Sequence, residues 1–344
     1  MNANPVLVEV TRGEMIESRH RGAIAVVHSD GQTAVAVGDV KGLIYPRSAI
    51  KPLQALALFE SGAADAFALT DTHLALACAS HNGEPGHVAV VRDWLARLDL
   101  DEQALECGAH APRRTQDRAA LVRGGVVPGA AHNNCSGKHC GFLSVARHLG
   151  ETTEGYIGKT HPVQQAVLGL VGEMAGVSLR DAPGGIDGCG IPVSGMALEP
   201  LALAFARFAT GVGMDSHRQA AAERIFQAMV QEPFMVAGSG RWCTRAIEAA
   251  QGACIVKTGA EGVYCGAVPK AGVGIALKID DGASRAAECA MGAVLSRIPS
   301  LQGRFSAQDA ELVSTPVLNV TGRPVGKLRP SETLAQQLVP LSRL

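Results

Sequence analysis

Apolar residues follow strand-like patterns at both ends of the chain. Near the start, residues 23–28 form a β-rich apolar run, Asp30-Gly31 supplies a hairpin turn, and residues 33–37 form the returning run. Beyond residue 253, the short apolar segments ACIVKTG, GVYCGAV and AGVGIALKI are separated by glycines, and LVSTPVLNV forms a last run. These patterns predict strands contributed by both ends of the chain.

Helical spacing dominates the region between those strands. A helix is expected to begin near Ser48, because Pro52 is tolerated only in a first helical turn. Residues 104–136 read as loop-rich, whereas apolar residues recur at helical spacing over about 72–79, 85–98, 137–148, 162–175, 198–209, 216–231, 244–251 and 283–297. This order predicts an α/β (α+β) fold in which an antiparallel sheet built from both chain ends is covered by helices. We expect a single domain over residues 1–344, with a helical subregion at about 70–250.

Composition narrows the class of partner. The chain has 344 residues, of which 47% are hydrophobic and 18% charged, so a sizeable globular core is expected. A net charge of −1 gives no electrostatic reason to bind nucleic acid or an anionic membrane. No export signal is visible, and nine cysteines, an odd number, do not suggest a disulfide framework. We therefore expect a cytoplasmic protein that acts on a small molecule.

Three short motifs carry the candidate chemistry. In chain order they are Ser48-Ala49-Ile50-Lys51, Ser80-His81-Asn82 and Lys257-Thr258-Gly259. This order of Ser-x-x-Lys, Ser-x-Asn and Lys-Thr-Gly is the signature of serine β-lactamases and penicillin-binding proteins. Lys51 lies one helical turn after Ser48 and can act as its base when neutral, a state that burial and the positive charge of Lys257 would favour. Each motif alone arises by chance, but their order and placement indicate acyl transfer.

Four further residues are candidates for binding the substrate. Arg47 precedes the first serine and could hold a carboxylate through two hydrogen bonds, although an ordinary surface arginine explains it equally well. Asn82 could donate to a substrate carbonyl. His139 and Asp187 flank cysteines and could orient metal ligands or contact the substrate amine.

Several segments resemble the asparaginase II family typified by rhizobial enzymes. They are ESRHRGAIAVVHSDG, YPRSAIKPLQALAL, CASHNGEPGHV, HNNCSGKHCGFL, GIDGCGIPV and VKTGAEGVYCGAV, and they span roughly residues 6–290. The resemblance implies a serine β-lactamase and glutaminase-like fold, a homodimer, and hydrolysis of L-asparagine to L-aspartate and ammonia. It also implies two serine–lysine couples, Ser48 with Lys51 and Ser80 with Lys257.

The same resemblance implies one zinc ion per chain, bound by Cys135, Lys138 and Cys189. Spacing alone would leave these cysteines as ordinary buried thiols, because no Cys-x-x-Cys pair is present and lysine must lose its proton before it binds a metal. Three protein ligands with an open fourth position would suit a functional zinc. The role of the ion stays open.

Other functions share parts of this pattern. A glutaminase would use the same chemistry on a substrate longer by one methylene, a difference worth only about 1–3 kcal/mol. A β-lactamase or cell-wall peptidase would need export, and a non-catalytic amino-acid-binding relative would not need both serines and both lysines. The sequence does not decide which serine is the nucleophile.

Overall fold

The computed structural model describes residues 3–304 and 307–344, and the chain divides into two compact units. Unit 1 joins Met1–Ala49, Gly195–Val212 and Arg245–Leu344. Unit 2 joins Ile50–Ser194 and Gly213–Thr244, and it contains most of the helical subregion expected at about 70–250. Among the described residues, no helix has the length and apolarity needed to cross a bilayer.

Unit 1 contains an eight-stranded antiparallel sheet. With strands numbered in chain order, its members are β1 (Val6–Arg12), β2 (Met15–His28), β3 (Thr33–Val37), β6 (Ile255–Thr258), β7 (Val263–Val268), β8 (Val273–Ile279), β9 (Thr315–Leu318) and β10 (Pro324–Pro330). The strand order is β6-β7-β8-β2-β1-β10-β9, and β3 pairs with β2. Ala25 lies opposite Ala276, and Glu9 lies opposite Arg329, so the two ends of the chain are interleaved in one sheet.

Helices cover this sheet, as the sequence predicts. Within unit 1 these are α9 (Leu198–Thr210), α13 (Ser284–Leu295) and α14 (Glu332–Gln337). Helix α9 lies so close to β8 that a Cβ on Gly274 would come within 2.8 Å of the main-chain carbon of Phe205. A glycine in the strand thus permits the helix to rest directly on the sheet.

Unit 2 is built mainly from helices. These are α1 (Lys51–Ala55), α2 (Ala57–Glu60), α3 (Ala63–Ala66), α4 (Asp71–Ala77), α5 (Pro85–Arg97), α6 (Thr115–Arg123), α7 (Ser136–Leu149), α8 (Pro162–Ala175), α10 (Ser216–Gln231) and α11 (Pro233–Ala237). Helix α12 (Trp242–Ala250) begins in unit 2, and the short strands β4 (Gly184–Ile186) and β5 (Pro192–Ser194) form a hairpin. Helix α7 is the centre of this unit, because residues 136–146 along it are all buried.

The helix expected at Ser48 is broken in the structure. A 3₁₀ turn covers Arg47–Ile50, α1 follows with Pro52 in its first turn, and Leu56 separates α1 from α2. The region expected to be loop-rich contains α6, whose nine residues are all partly or fully exposed and therefore carry no buried apolar stripe. The remaining helices expected from the sequence are confirmed to within about two residues at each end.

Candidate functional site

A buried lysine is the centre of the candidate site in unit 2. Lys51 is only 1% exposed, and its Nζ donates to Ser80 Oγ at 3.3 Å, to Cys135 Sγ at 3.2 Å and to the main-chain oxygen of Ala79. Three elements supply these groups: the start of α1, the segment after α4 and the residue before α7. The first and second sequence motifs therefore meet through Lys51 and Ser80.

The three predicted zinc ligands lie together in unit 2. Lys138 Nζ donates to Cys189 Sγ at 2.9 Å, and Cys189 hydrogen-bonds to Cys135. That hydrogen bond, with the positive charges of Lys51 and Lys138, holds the pKa of Cys135 well below its ordinary value although burial opposes the shift. These interactions favour the thiolate form of Cys135, which is the form of cysteine that binds metals.

The sulfur atoms of Cys135 and Cys189 and the nitrogen of Lys138 are donor atoms that suit a zinc ion. Thiolates are soft ligands that suit zinc, and the described residues contain no group of three or more His, Cys, Asp or Glu side chains able to hold a metal. A metal bound here would need Lys138 as a ligand in addition to the two cysteines. Burial lowers the pKa of Lys138, but the neighbouring Cys135 and Cys189 outweigh burial and raise it. The hydrogen bond to Cys135, together with burial, raises the pKa of Cys189 as well, so metal binding must displace a proton from both Lys138 and Cys189.

Hydrogen bonds within unit 2 fix the second motif. Ser80 N donates to Val236 O at 3.0 Å, and His81 N donates to Asn134 O at 3.2 Å. His81 Nδ1 accepts from Gly83 N at 3.0 Å, so its Nε2 carries the proton that is donated to Ser136 Oγ at 2.9 Å. The histidine thus braces the motif by joining Gly83 to Ser136.

Asn82 is held on both sides of its amide group. Its Nδ2 donates to Glu84 Oε1 at 3.0 Å and to Ser239 O at 3.3 Å, and its Oδ1 accepts from Arg241 at 3.1 Å. Both N–H groups are therefore engaged within the chain. The prediction that Asn82 donates to substrate stays a prediction.

His139 has a ring nitrogen available for a ligand. Its Nδ1 is hydrogen-bonded to Tyr156 Oη at 2.6 Å, and Tyr156 Oη also accepts from Glu106 N at 3.1 Å. Its Nε2 is buried and has no partner among the described residues. Burial, with the charges of Lys138 and Lys51, keeps the pKa of His139 well below its ordinary value. Asp187 is half-buried in the turn before Cys189, where its Oδ1 accepts from Gly188 N at 2.6 Å.

Unit 1 holds the other predicted residues, namely Arg47, Ser48 and Lys257. Arg47 has φ of 51°, an uncommon conformation for arginine that places a bend directly before Ser48. Lys257 is 1% exposed on β6, with Nζ donating to Thr258 O at 2.7 Å. A Cβ on Gly259 would lie 2.9 Å from Pro46 O and 3.3 Å from Ala49 Cβ, so the third motif packs against the turn that carries Ser48.

Two residues that hold the second motif in place were not identified from the sequence. Arg241 NH1 donates to Ser80 O at 3.3 Å as well as to Asn82, and Glu84 contacts Asn82, Ser239 and Arg114. Glu84 is also the N-cap residue of α5. No local pattern marks either role, because the partners are as many as 161 residues apart.

Hydrolases that activate serine with lysine place a buried amine within hydrogen-bonding distance of the serine hydroxyl, and Lys51 and Ser80 meet that requirement. The chain matches the family described as L-asparaginase II over residues 8–330, and it belongs to that family. Membership supports an asparaginase-type hydrolase that acts on amides, as the sequence resemblance implies. No curated protein matched the chain.

The solved structures that match this chain share little sequence with it. A structure described as native Mglu is 16% identical, with a TM-score of 0.47, over 82% of this chain and 66% of its own. A β-lactamase from Mycobacterium bovis is 16% identical, with a TM-score of 0.40, over 77% of this chain and 89% of its own. A structure described as a β-lactamase from Bacteroides dorei is 16% identical, with a TM-score of 0.37, over 75% and 84% of the two chains.

Proposed function

We propose that the chain is an L-asparaginase that hydrolyses L-asparagine to L-aspartate and ammonia through an acyl-enzyme. The observation that carries the proposal is the buried contact of Lys51 with Ser80, in a chain that matches L-asparaginase II over residues 8–330. Two serines are candidates for the nucleophile. Ser48 is the one favoured by its Ser-x-x-Lys motif, and Ser80 is the one with a described amine partner.

The proposed route has two steps. The serine Oγ attacks the side-chain amide carbon of asparagine while its proton passes to the lysine amine, which acts as the base in its neutral form. The tetrahedral intermediate collapses, the carbon–nitrogen bond breaks, and the lysine returns the proton to the departing ammonia. Water then attacks the ester, the lysine takes a proton from that water, and the serine oxygen leaves with the proton as aspartate is released. Main-chain N–H groups near the nucleophile would stabilise the negative oxygen in both steps.

We propose that Arg47, His139 and Asp187 bind the charged end of the substrate, and that Asn82 donates to a substrate carbonyl by exchanging one of its bonds to Glu84 and Ser239. The buried Nε2 of His139, which has no partner among the described residues, supports this assignment, because a buried polar group without a partner is costly unless a ligand satisfies it. The guanidinium of Arg47 suits a carboxylate, and the carboxylate of Asp187 suits an ammonium group.

We propose that Cys135, Lys138 and Cys189 hold one zinc ion per chain. A bound zinc ion supplies a Lewis acid that can attract the substrate carboxylate or amine. Cys135→Ser and Cys189→Ser should each abolish stoichiometric zinc, measured by atomic absorption on dialysed protein. Cys140→Ser is the matched control, since Cys140 is a buried thiol of α7 with a pKa raised by burial, and it should retain the metal. Zinc retained by both ligand variants would contradict the assignment.

Ammonia release tests the function. Purified wild type should release ammonia from L-asparagine faster than from L-glutamine, and Ser48→Ala and Ser80→Ala should each lower that rate by at least about a hundredfold. Ser61→Ala is the control, because the Ser61 hydroxyl donates to Ala57 O at 2.7 Å away from the site. Mass spectrometry of rapidly quenched protein would identify which serine carries the aspartyl ester.

Each alternative function predicts a distinct outcome. Faster release from glutamine would indicate a glutaminase, and no release from either amide would refute hydrolysis of these substrates. Binding of asparagine without turnover, measured by calorimetry, would identify a non-catalytic amino-acid-binding protein. The proposal further includes a homodimer acting in the cytoplasm, for which sedimentation of the purified protein tests the oligomeric state.

A further inference from the structure

One carboxylate connects three segments of unit 2 around the second motif. Glu84 Oε1 accepts from Asn82 Nδ2 at 3.0 Å and from Ser239 N at 2.7 Å. Its Oε2 accepts from Ser239 Oγ at 2.7 Å and from the guanidinium of Arg114. Glu84 is only 4% exposed, so four donors converge on a carboxylate that water barely reaches.

These bonds continue to the serine that contacts Lys51. The amide of Asn82, fixed by Glu84, presents its Oδ1 to Arg241 NH1 at 3.1 Å. The same nitrogen of Arg241 donates to Ser80 O at 3.3 Å. Glu84 is thus linked to the main chain of Ser80 through two side chains, Asn82 and Arg241.

The backbone at Gly238 and Ser239 approaches Glu84 closely. Gly238 has φ of 109°, and a Cβ there would lie 2.7 Å from Asn82 Nδ2 and within contact of Glu84 Oε1. Only glycine adopts this conformation readily and leaves this space, so Ser239 can bring both its N–H and its hydroxyl to one carboxylate.

We propose that Glu84 is a positioning residue that sets the placement of Ser80 through Asn82 and Arg241. The proposal deepens the proposed function, on which its effect on catalysis rests. Removing the carboxylate leaves the donors of Asn82 and Ser239 without their acceptor, and the motif relaxes away from the geometry that Lys51 requires. A displacement of even 1 Å in a catalytic group can lower the rate about a hundredfold.

Substitution of Glu84 also removes the N-cap residue of α5, and that loss alone could destabilise the helix. A control variant must therefore separate loss of a helix cap from loss of the bonds that lead to Ser80. Asp215→Ala is that control variant. Asp215 is the N-cap residue of α10, and its carboxylate accepts from Arg218 N at 2.9 Å. The control removes an acidic cap of unit 2 without touching the bonds that lead to Ser80.

The test compares Glu84→Ala, Glu84→Gln and Asp215→Ala by steady-state kinetics and by hydrogen exchange of peptides covering residues 79–84. We expect Glu84→Ala to lower kcat for asparagine at least about tenfold with KM within about threefold, and to speed exchange over residues 79–84. Glu84→Gln should recover part of both properties, because its remaining carbonyl oxygen can still accept from Asn82 and Ser239. Asp215→Ala should match wild type in both measurements.

Hydrogen exchange separates this proposal from the proposed function. Wild-type exchange over residues 79–84 in Glu84→Ala would overturn the positioning role, whatever the activity. The same exchange and kcat changes in Asp215→Ala would also overturn it. Faster exchange confined to Glu84→Ala, in a protein whose wild type releases no ammonia from asparagine, would support the positioning role while refuting the asparaginase proposal.

Discussion

Two glycines on one face of α7 provide a sharp test of the packing in unit 2. A Cβ on Gly137 would lie 2.6 Å from Leu76 Cγ, 2.7 Å from the main-chain carbon of Leu76, and closer still to its carbonyl oxygen. Overpacking costs about 1–3 kcal/mol, and a main-chain carbonyl cannot rotate aside as a side chain can. Alanine recovers at most about 1 kcal/mol of helix propensity. We expect Gly137→Ala to lower the free energy of unfolding by about 2 kcal/mol.

Gly141, one helical turn further along α7, is the matched control. A Cβ there would find its nearest neighbours, on Leu58 and Ala77, at 3.8 and 3.9 Å, which is ordinary van der Waals contact. Gly141→Ala should therefore leave stability unchanged or raise it by up to about 1 kcal/mol. Urea unfolding of both variants measures the difference, expected to be about 2–3 kcal/mol. Equal stability of the two variants, or the opposite order, would refute the close approach of α7 to α4.

Three further outcomes follow from the structure. Gly274→Ala should destabilise unit 1 by about 2 kcal/mol in urea, because its Cβ would meet the main chain of α9; a wild-type midpoint would contradict that contact. Burial alone would raise the pKa of Glu84, but hydrogen bonds from Ser239, Asn82 and Arg114 lower it to about 2 from its ordinary 4.5. The stability that this carboxylate gives should therefore be complete above about pH 4.5 and be lost as the pH falls towards 2, with a smaller loss in Glu84→Gln, measured by thermal unfolding at each pH. Lys51→Met should abolish ammonia release and lower the free energy of unfolding by about 3 kcal/mol, because Ala79 O, Ser80 Oγ and Cys135 Sγ lose their buried donor; retained activity would exclude Lys51 as the base.

Strands and helices with a continuous local signal were predictable from the sequence. The segments that became β7 and β8 are apolar over nearly their whole length, as expected for strands buried on both faces. Helices α8 and α10 begin where Pro162 and Asp215 mark their first turns, and α8 ends at Gly176 in a left-handed conformation. Such signals lie within a few residues of the element that they define.

Elements that depend on distant partners were missed. Strand β10 contains two prolines, a glycine, a lysine and an arginine, and its strand structure comes from pairing with β1 and β9. The candidate site likewise has residues that a local motif predicts and contacts that it does not. The motifs identified Ser80 and Lys51 one by one, but the contact of Lys51 with both Ser80 and Cys135 depends on tertiary packing. The pairings of Ser48 with Lys51 and of Ser80 with Lys257 stay predictions.

The interleaving of the two chain ends in one sheet has a consequence for biosynthesis. Strands β1 and β2 leave the ribosome well before their partners, because β2 pairs with β8 at residues 273–279 and β1 pairs with β10 at residues 328–330. The strands β1, β2 and β3 can pair with one another early, but the edge of β2 that meets β8 and the edge of β1 that meets β10 stay open until those residues have been made. Nascent chains of this protein should consequently depend on holdase chaperones until β10 has been made, whereas the helices of unit 2 can form earlier.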